Sequence, residues 1–281
     1  MNETVLTIYA LPEWRTLQDV SARLTFLTRY FLGKPYIADP QGEGVKTEID
    51  PSPLYRFDGF DCVTFINNLL ALALSSDLPS FEKNLLRLNY YNATPLFENR
   101  FHFMSVDWNP QNQQNKIVTD VTKAIVDKNG VSIAEFAEGE IDRPGWFLKQ
   151  AENKKSGTLR AIAAKTKKEW VSLPYLPLHE LFDDNKMPRE HLFQQIPSVS
   201  VIEIVRPNWN LKEKIGTNLH VSHVGFALRD TNGELFFRHA SSEEKKVVSV
   251  KLSEYLSTYL DSPTIKGINV QLIDVYMLIH E

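Results

Sequence analysis

Hydrophobic residues recur at Leu17, Val20, Leu24, Leu27 and Phe31, close to the period of a helix with one apolar face. The pattern stops at Gly33-Lys34-Pro35, a glycine and then a proline, as helix ends commonly do. Residues 40–60 are rich in proline, glycine and acidic side chains and read as a long loop, of the kind that is usually functional or mobile. An almost continuous apolar run, 62–74, follows Asp61. It reads as a buried helix with Asp61 as its N-cap, which puts Cys62 in the first turn. Residues 81–89 and 118–127 are predicted as short helices, whereas 129–195, with its basic and proline-bearing patches, shows no clear period.

The C-terminal third changes character. Runs at 199–205, 221–228, 234–240, 246–250 and 269–278 are β-rich and divided by turn residues, with a predicted helix at 252–260 between the last two. Helices first and strands later describe an α+β fold with an antiparallel sheet. No repeat, low-complexity tract or flexible linker marks a boundary, so residues 1–281 are read as one domain.

Composition narrows the classes. Hydrophobic residues make up 43% of the 281, too many for a disordered chain. A net charge of −4 gives no electrostatic reason to expect a nucleic acid partner. The longest apolar run, 69–74, falls far short of the ~20 residues that span a bilayer, so no integral membrane segment is expected. The apolar stretch 5–11 has no basic region before it and does not read as a secretory leader.

There is one cysteine, Cys62, which excludes an intrachain disulfide and any zinc site built on several thiolates. A lone cysteine is ordinarily a small buried hydrophobe. At a helix N-terminus, however, unpaired N–H groups and the helix dipole favour the thiolate, while the Asp61 charge opposes it. An imidazole partner would therefore help.

His223 and His239 lie on two predicted strands joined through Thr231-Asn232-Gly233. If those three residues form the loop, His239 faces Gly225 and His223 is its diagonal neighbour on the same face. A two-residue Asn-Gly loop would put the histidines on opposite faces. Joint chemistry needs the longer loop or a bulge. His220 and His223 form an H-x-x-H pair, but on a regular strand positions three apart face opposite ways, so no metal is expected. Trp108, Trp146, Trp170 and Trp209 read as core or loop anchors, and Lys165, Lys167 and Lys168 as a solvated face.

These pieces resemble the NlpC-type cell-wall cysteine peptidases and amidases, a papain-like superfamily. The resemblance is carried by Gly33-Lys34-Pro35-Tyr36, Asp61-Cys62, Ser222-His223-Val224-Gly225 and His239-Ala240-Ser241, in that order. It extends to the N-acetylmuramoyl-L-alanine amidase-like branch through Asp61-Cys62-Val63-Thr64-Phe65, Arg100-Phe101-His102-Phe103, Asp107-Trp108 and Gly267-Ile268-Asn269-Val270. Two departures stand out: a longer loop between Tyr36 and Cys62, and Ser198-Val199-Ser200-Val201 where a Gly-Asp pair is usual.

The resemblance implies a papain-like α+β fold with inserted loops, and a thiol nucleophile, Cys62, activated by His223. His239 would orient His223, and the hydroxyl of Tyr36 with the Cys62 N–H would stabilise the oxyanion. The scissile bond would be the muramic acid–L-alanine amide of peptidoglycan fragments, with no cofactor. Arg100, His102 and Trp108 would bind a sugar-bearing substrate or, equally, brace an inserted loop. Ser222 would contact the stem only through its backbone or a strand distortion. A stem-peptide endopeptidase cutting between D-glutamate and diaminopimelate is the nearest alternative, followed by a catalytically silent wall-binding module and a lipid acyltransferase. The cell envelope or periplasm is expected if a leader was removed, the cytoplasm if Met1 is the native start.

Overall fold

The computed structural model describes residues 2–274, the side chain of residue 208 excepted. Three helices open the chain: α1 (Asn2–Ala10), α2 (Pro12–Thr16) and α3 (Val20–Tyr30). The periodic segment begins later than its first apolar residue, because the Asp19 carboxylate accepts the Ala22 N–H at 2.7 Å and caps the helix there. Leu17 closes the preceding helix instead.

The next helices are α4 (Cys62–Ala73), α5 (Leu78–Asn89) and α6 (Asn109–Gln114). Asp61 and Asp77 each form a capping box, with Thr64 and Ser80 respectively. α4 is buried along nearly its whole length, as its unbroken apolar run demands.

Residues 118–127 are not a helix. Val118–Asp120 is a strand, β1, followed by one 3₁₀ turn, Thr122–Ala124. Its partner, Ile273 opposite Val118, lies far along the chain, out of reach of any local pattern.

The unreadable stretch 129–195 contains β2 (Glu135–Asp142), α7 (Arg143–Lys154), α8 (Gly157–Ala163), β3 (Lys168–Pro177), α9 (Leu178–Leu181) and α10 (Glu190–Phe193). β2 and β3 pair antiparallel, with Ala137 and Ile141 buried between exposed or half-buried glutamates. Asp142 ends β2 and caps α7 by accepting the Gly145 N–H at 2.8 Å.

The rest is β4 (Ser200–Asn210), α11 (Lys212–Ile215), β5 (Asn218–Arg229), β6 (Leu235–Ser241), β7 (Lys246–Lys251), α12 (Leu252–Ser257) and β8 (Gly267–Ile273). The end of the strand predicted at 269–278 lies outside the described residues. All pairings between strands are antiparallel, in the order β2-β3-β8-β4-β5-β6-β7, with β1 also on β8. This is an α+β fold with a large antiparallel sheet.

Alternation along the central strands assigns each face. Val201, Val224, Phe226 and Leu228 pack with Leu27, Phe65 and Leu69 of the N-terminal helices. Ile202, Ile204, Ala227 and Phe237 pack on the other side with Leu252, Leu256 and Ile265. At ~25 cal/mol per Å² of apolar surface, these two layers supply the main drive for folding.

The β5–β6 hairpin has the longer loop. Asp230 N–H donates to the Glu234 carbonyl at 3.0 Å, and Phe226 faces Arg238. Thr231, Asn232 and Gly233 are the loop, and the register puts His239 beside Gly225.

Candidate active site

Cys62 sits at the first turn of α4, where Asp61 fixes the helix start: its carboxylate accepts the Thr64 N–H at 2.7 Å. The residue keeps some exposure, yet burial pushes its thiol up to about 12, and the Asp61 charge adds to this. Backbone N–H groups of Val224, Val63 and Cys62 pull the other way without prevailing. The helix terminus alone suggests an acidic thiol, and the packing around it outweighs that effect.

The hairpin register brings the two histidines together: His223 Nε2 and His239 Nδ1 are hydrogen-bonded at 2.7 Å. A Cβ on Gly225 would stand 2.7 Å from both the Arg238 carbonyl oxygen and His239 Cβ, so only glycine allows this approach. Burial lowers His223 to about 4 and His239 to about 3, the latter helped by the charge of a protonated His223. Both rings, like the thiol, are held neutral near pH 7.

Strand distortion decides what surrounds His223. Ile204 faces His223, but its neighbour Val205 faces Val221, so Ser222 is an extra residue in β5. Ser222 thus lines the same cavity of about 120 Å³ as Cys62, His223, His220 and His102. A regular strand would have sent it away, and would have put His220 and His223 on opposite sides. Even so, no group of three or more metal-ligating side chains exists among the described residues. His220 is almost fully buried, with neither ring nitrogen hydrogen-bonded.

Tyr36 reaches this region because Gly33–Tyr36 docks beside β7: Gly33 N–H donates to the Val247 carbonyl and Tyr36 N–H to that of Lys245, both at 2.9 Å. A bridge from Tyr36 to Phe60 ties it to the start of α4. Burial is the main cause that pushes its phenol up to about 12, so Tyr36 is a neutral O–H donor next to the thiol.

The remaining expected site residues divide. His102 lines the Cys62 cavity, its Nε2 hydrogen-bonded with the Phe97 carbonyl at 2.6 Å and its ring 4.3 Å from that of Trp146. Trp108 is fully buried and donates from Nε1 to Asn67 Oδ1 at 2.7 Å, so it offers no ring face to a sugar. Arg100 is outside the cavity lining. It donates to Glu43 at 2.6 Å, Asp50 at 3.0 Å and the Gln41 carbonyl at 3.0 Å, bracing the 40–60 loop. Of the two expected roles, the contacts of both residues fit internal bracing: their polar groups are used within the chain.

Trp146 and Trp209 are half-buried. Trp170, expected as an anchor, is 71% exposed. Lys165, Lys167 and Lys168 form the solvated face expected of them.

Sequence reasoning missed the second wall of the site. A cavity of about 270 Å³ is bounded by His223, His239, Ser222, Arg206, Trp209 and Tyr255, among others. Pro207 within a strand was the available signal, because proline there marks a bulge.

The comparisons agree with this architecture. A protein from Legionella pneumophila is 39% identical over 98% of this chain and 95% of its own, with a TM-score of 0.90. A Bacteroides uniformis N-acetylmuramoyl-L-alanine amidase, 22% identical with a TM-score of 0.59, covers 91% of this chain and 99% of its own. A Bacteroides fragilis structure provisionally named a xylanase, 23% identical with a TM-score of 0.61, covers 88% and 100%. These last two likenesses concern the fold alone. No curated protein matches. The profile of the AmiA-like family, N-acetylmuramoyl-L-alanine amidase-like, matches residues 26–264, and the chain belongs to that family.

Proposed function

We propose that the protein is a cysteine amidase of the NlpC-type, papain-like superfamily, acting as one catalytic domain on the muramic acid–L-alanine amide of peptidoglycan fragments. The family membership supports the amidase class. The observation that carries the mechanism is the 2.7 Å bond between His223 Nε2 and His239 Nδ1. With the His223 Nε2–H donating to His239, His223 Nδ1 keeps a lone pair for the thiol proton (a tautomer assigned from the hydrogen bonding).

Because burial favours the neutral thiol and imidazole, the proton moves as the sulfur attacks. The Cys62 thiol adds to the lactyl carbonyl carbon while His223 takes its proton. The carbonyl oxygen becomes an oxyanion, met by the Cys62 N–H and the Tyr36 hydroxyl, each donor worth ~3–4 kcal/mol in such sites. His223 then gives the proton to the departing amine, the C–N bond breaks and a thioester remains. Water, deprotonated by His223, releases the acid and restores the thiol. His239 positions the imidazole throughout, and His102 and Ser222 contact the substrate.

Mass spectrometry of defined disaccharide-peptides after incubation tests this reading. The expected products are an intact stem peptide and a sugar with a free lactyl carboxylate, with none formed by Cys62→Ala. Shortened stems still attached to the sugar would overturn the bond assignment.

A further inference from the structure

The pairing of β4 with β5 slips a second time. Val205 faces Val221 and Trp209 faces Leu219, so residues 206–208 oppose His220 alone. This bulge, at Pro207, carries Arg206 to the wall of the second cavity, the one that holds His223 and His239 but not Cys62.

Arg206 is half-buried and is held differently from Arg100 and Arg143. Arg100 sits between Glu43 and Asp50, and Arg143 between Asp107 and Glu169. Arg206 lies over an aromatic ring instead, with Cζ 4.3 Å from the Trp209 centroid. Its Nε is buried without a hydrogen-bond partner. Burial weighs against its charge, and the ionisable groups nearest it are the phenols of Tyr259 and Tyr255, which are neutral at neutral pH and do not offset it. Glu243 stands on the same wall but is exposed to water, where its field is screened. A guanidinium that is partly desolvated, oriented by stacking and not neutralised by its own chain is suited to a planar anion from outside.

The reaction proposed above, on which this step rests, says which part of the substrate arrives there. The acyl group stays on the Cys62 sulfur, and the departing amine takes its proton from His223. His223 and Ser222 line both the Cys62 cavity and the Arg206 cavity. The leaving peptide therefore extends toward Arg206. We infer that Arg206, seated on Trp209, recognises a carboxylate of an acidic leaving peptide and is a specificity determinant of the enzyme.

The test compares kcat/KM of the full chain on matched muropeptides whose stem carboxylates are free or converted to carboxamides. Wild type should prefer the free acid by about 10–100-fold, the advantage of a charge-assisted hydrogen bond over a neutral one. Arg206→Gln should bring that ratio near one, while Arg206→Lys retains part of it. Equal rates on both substrates in wild type, or an unchanged ratio in Arg206→Gln, would overturn the assignment. Hydrolysis of neither substrate would sink the amidase reading itself, a separate failure. A second measurement needs no variant: an alanyl-glutamate dipeptide should inhibit wild type at about tenfold lower concentration than its diamide. Equal inhibition by the two would also count against Arg206.

Discussion

Two buried polar regions handle charge in opposite ways. In the block behind the 40–60 loop, each guanidinium is neutralised on the spot. Arg100 holds Glu43 and Asp50, and Arg143 holds Asp107 and Glu169, with the Tyr91 hydroxyl also donating to Asp107 at 2.7 Å. Around His223 and His239 no ion pair forms among the described residues; the two rings bond to each other, and the nearby Arg206 has no carboxylate partner. The first region uses its charges to tie segments of the chain together. The second keeps its groups neutral or unneutralised, and so able to exchange a proton or meet a ligand. Residue type does not separate the two regions, since each contains arginine and tyrosine. The presence of partners does.

Removing the thiol should have the largest effect. Cys62→Ala is expected to lower kcat by about 10⁴-fold or more, as loss of a nucleophile does, with an unchanged circular dichroism spectrum. His239→Ala should cost less than His223→Ala, because it disturbs orientation rather than proton transfer. Wild-type turnover in Cys62→Ala would erase the distinction between the two regions.

Next comes the paired block. Arg100→Ala leaves the Glu43 carboxylate buried and uncompensated, so chemical denaturation should show a loss of about 3–5 kcal/mol. Adding Glu43→Gln should recover part of this loss. If Arg100→Ala instead raises KM with no change in stability, the loop brace is really a substrate contact.

The histidine pair should respond to acid. Burial lowers His223 from 6.5 to about 4, so the unfolded chain binds more protons between those values and stability falls with pH. The contribution is complete above pH 6.5 and is lost as pH drops toward 4, about 3 kcal/mol in all. His239 is lowered too and adds in the same direction. Urea midpoints measured across that window should slope steeply in wild type and less in His223→Gln.

A second linkage effect is expected at Glu203, buried on β4 and raised to about 8 mainly by burial. Here the sign reverses: the folded chain holds the proton, so stability is full below pH 4.5 and declines as pH rises toward 8. One Glu203 oxygen accepts from Asn109 at 3.1 Å and the other has no partner. Glu203→Gln should stabilise the protein by about 3–5 kcal/mol at pH 8 and hardly at all at pH 4.5. A destabilised variant at pH 8 would mean that the carboxylate is held charged by a partner.

The sequence was most legible where a few adjacent residues decide the outcome. Asp61 with Thr64 marks the start of α4, and the loop Thr231-Asn232-Gly233 sets the parity that pairs His223 with His239. It was least legible where the partner is distant. β1 is a strand because β8 runs beside it, and β2 and β3 are separated by two helices. Trp108 reads by residue type as a core or loop anchor and by the resemblance as a sugar contact, and the distant partner decides: Asn67 of α4 takes its N–H inside the core.

By itself, then, the sequence determined the α+β class, the position of the thiol at a helix start and the hairpin that joins two imidazoles. These follow from caps, turns and alternation, which act over a few residues. Only the tertiary structure decided that the thiol is held neutral, that Ser222 and His220 share its cavity, and that Arg100 is paired while Arg206 is not. Burial, bulges and charge neutralisation depend on which distant segments pack together, and no local pattern contains that information.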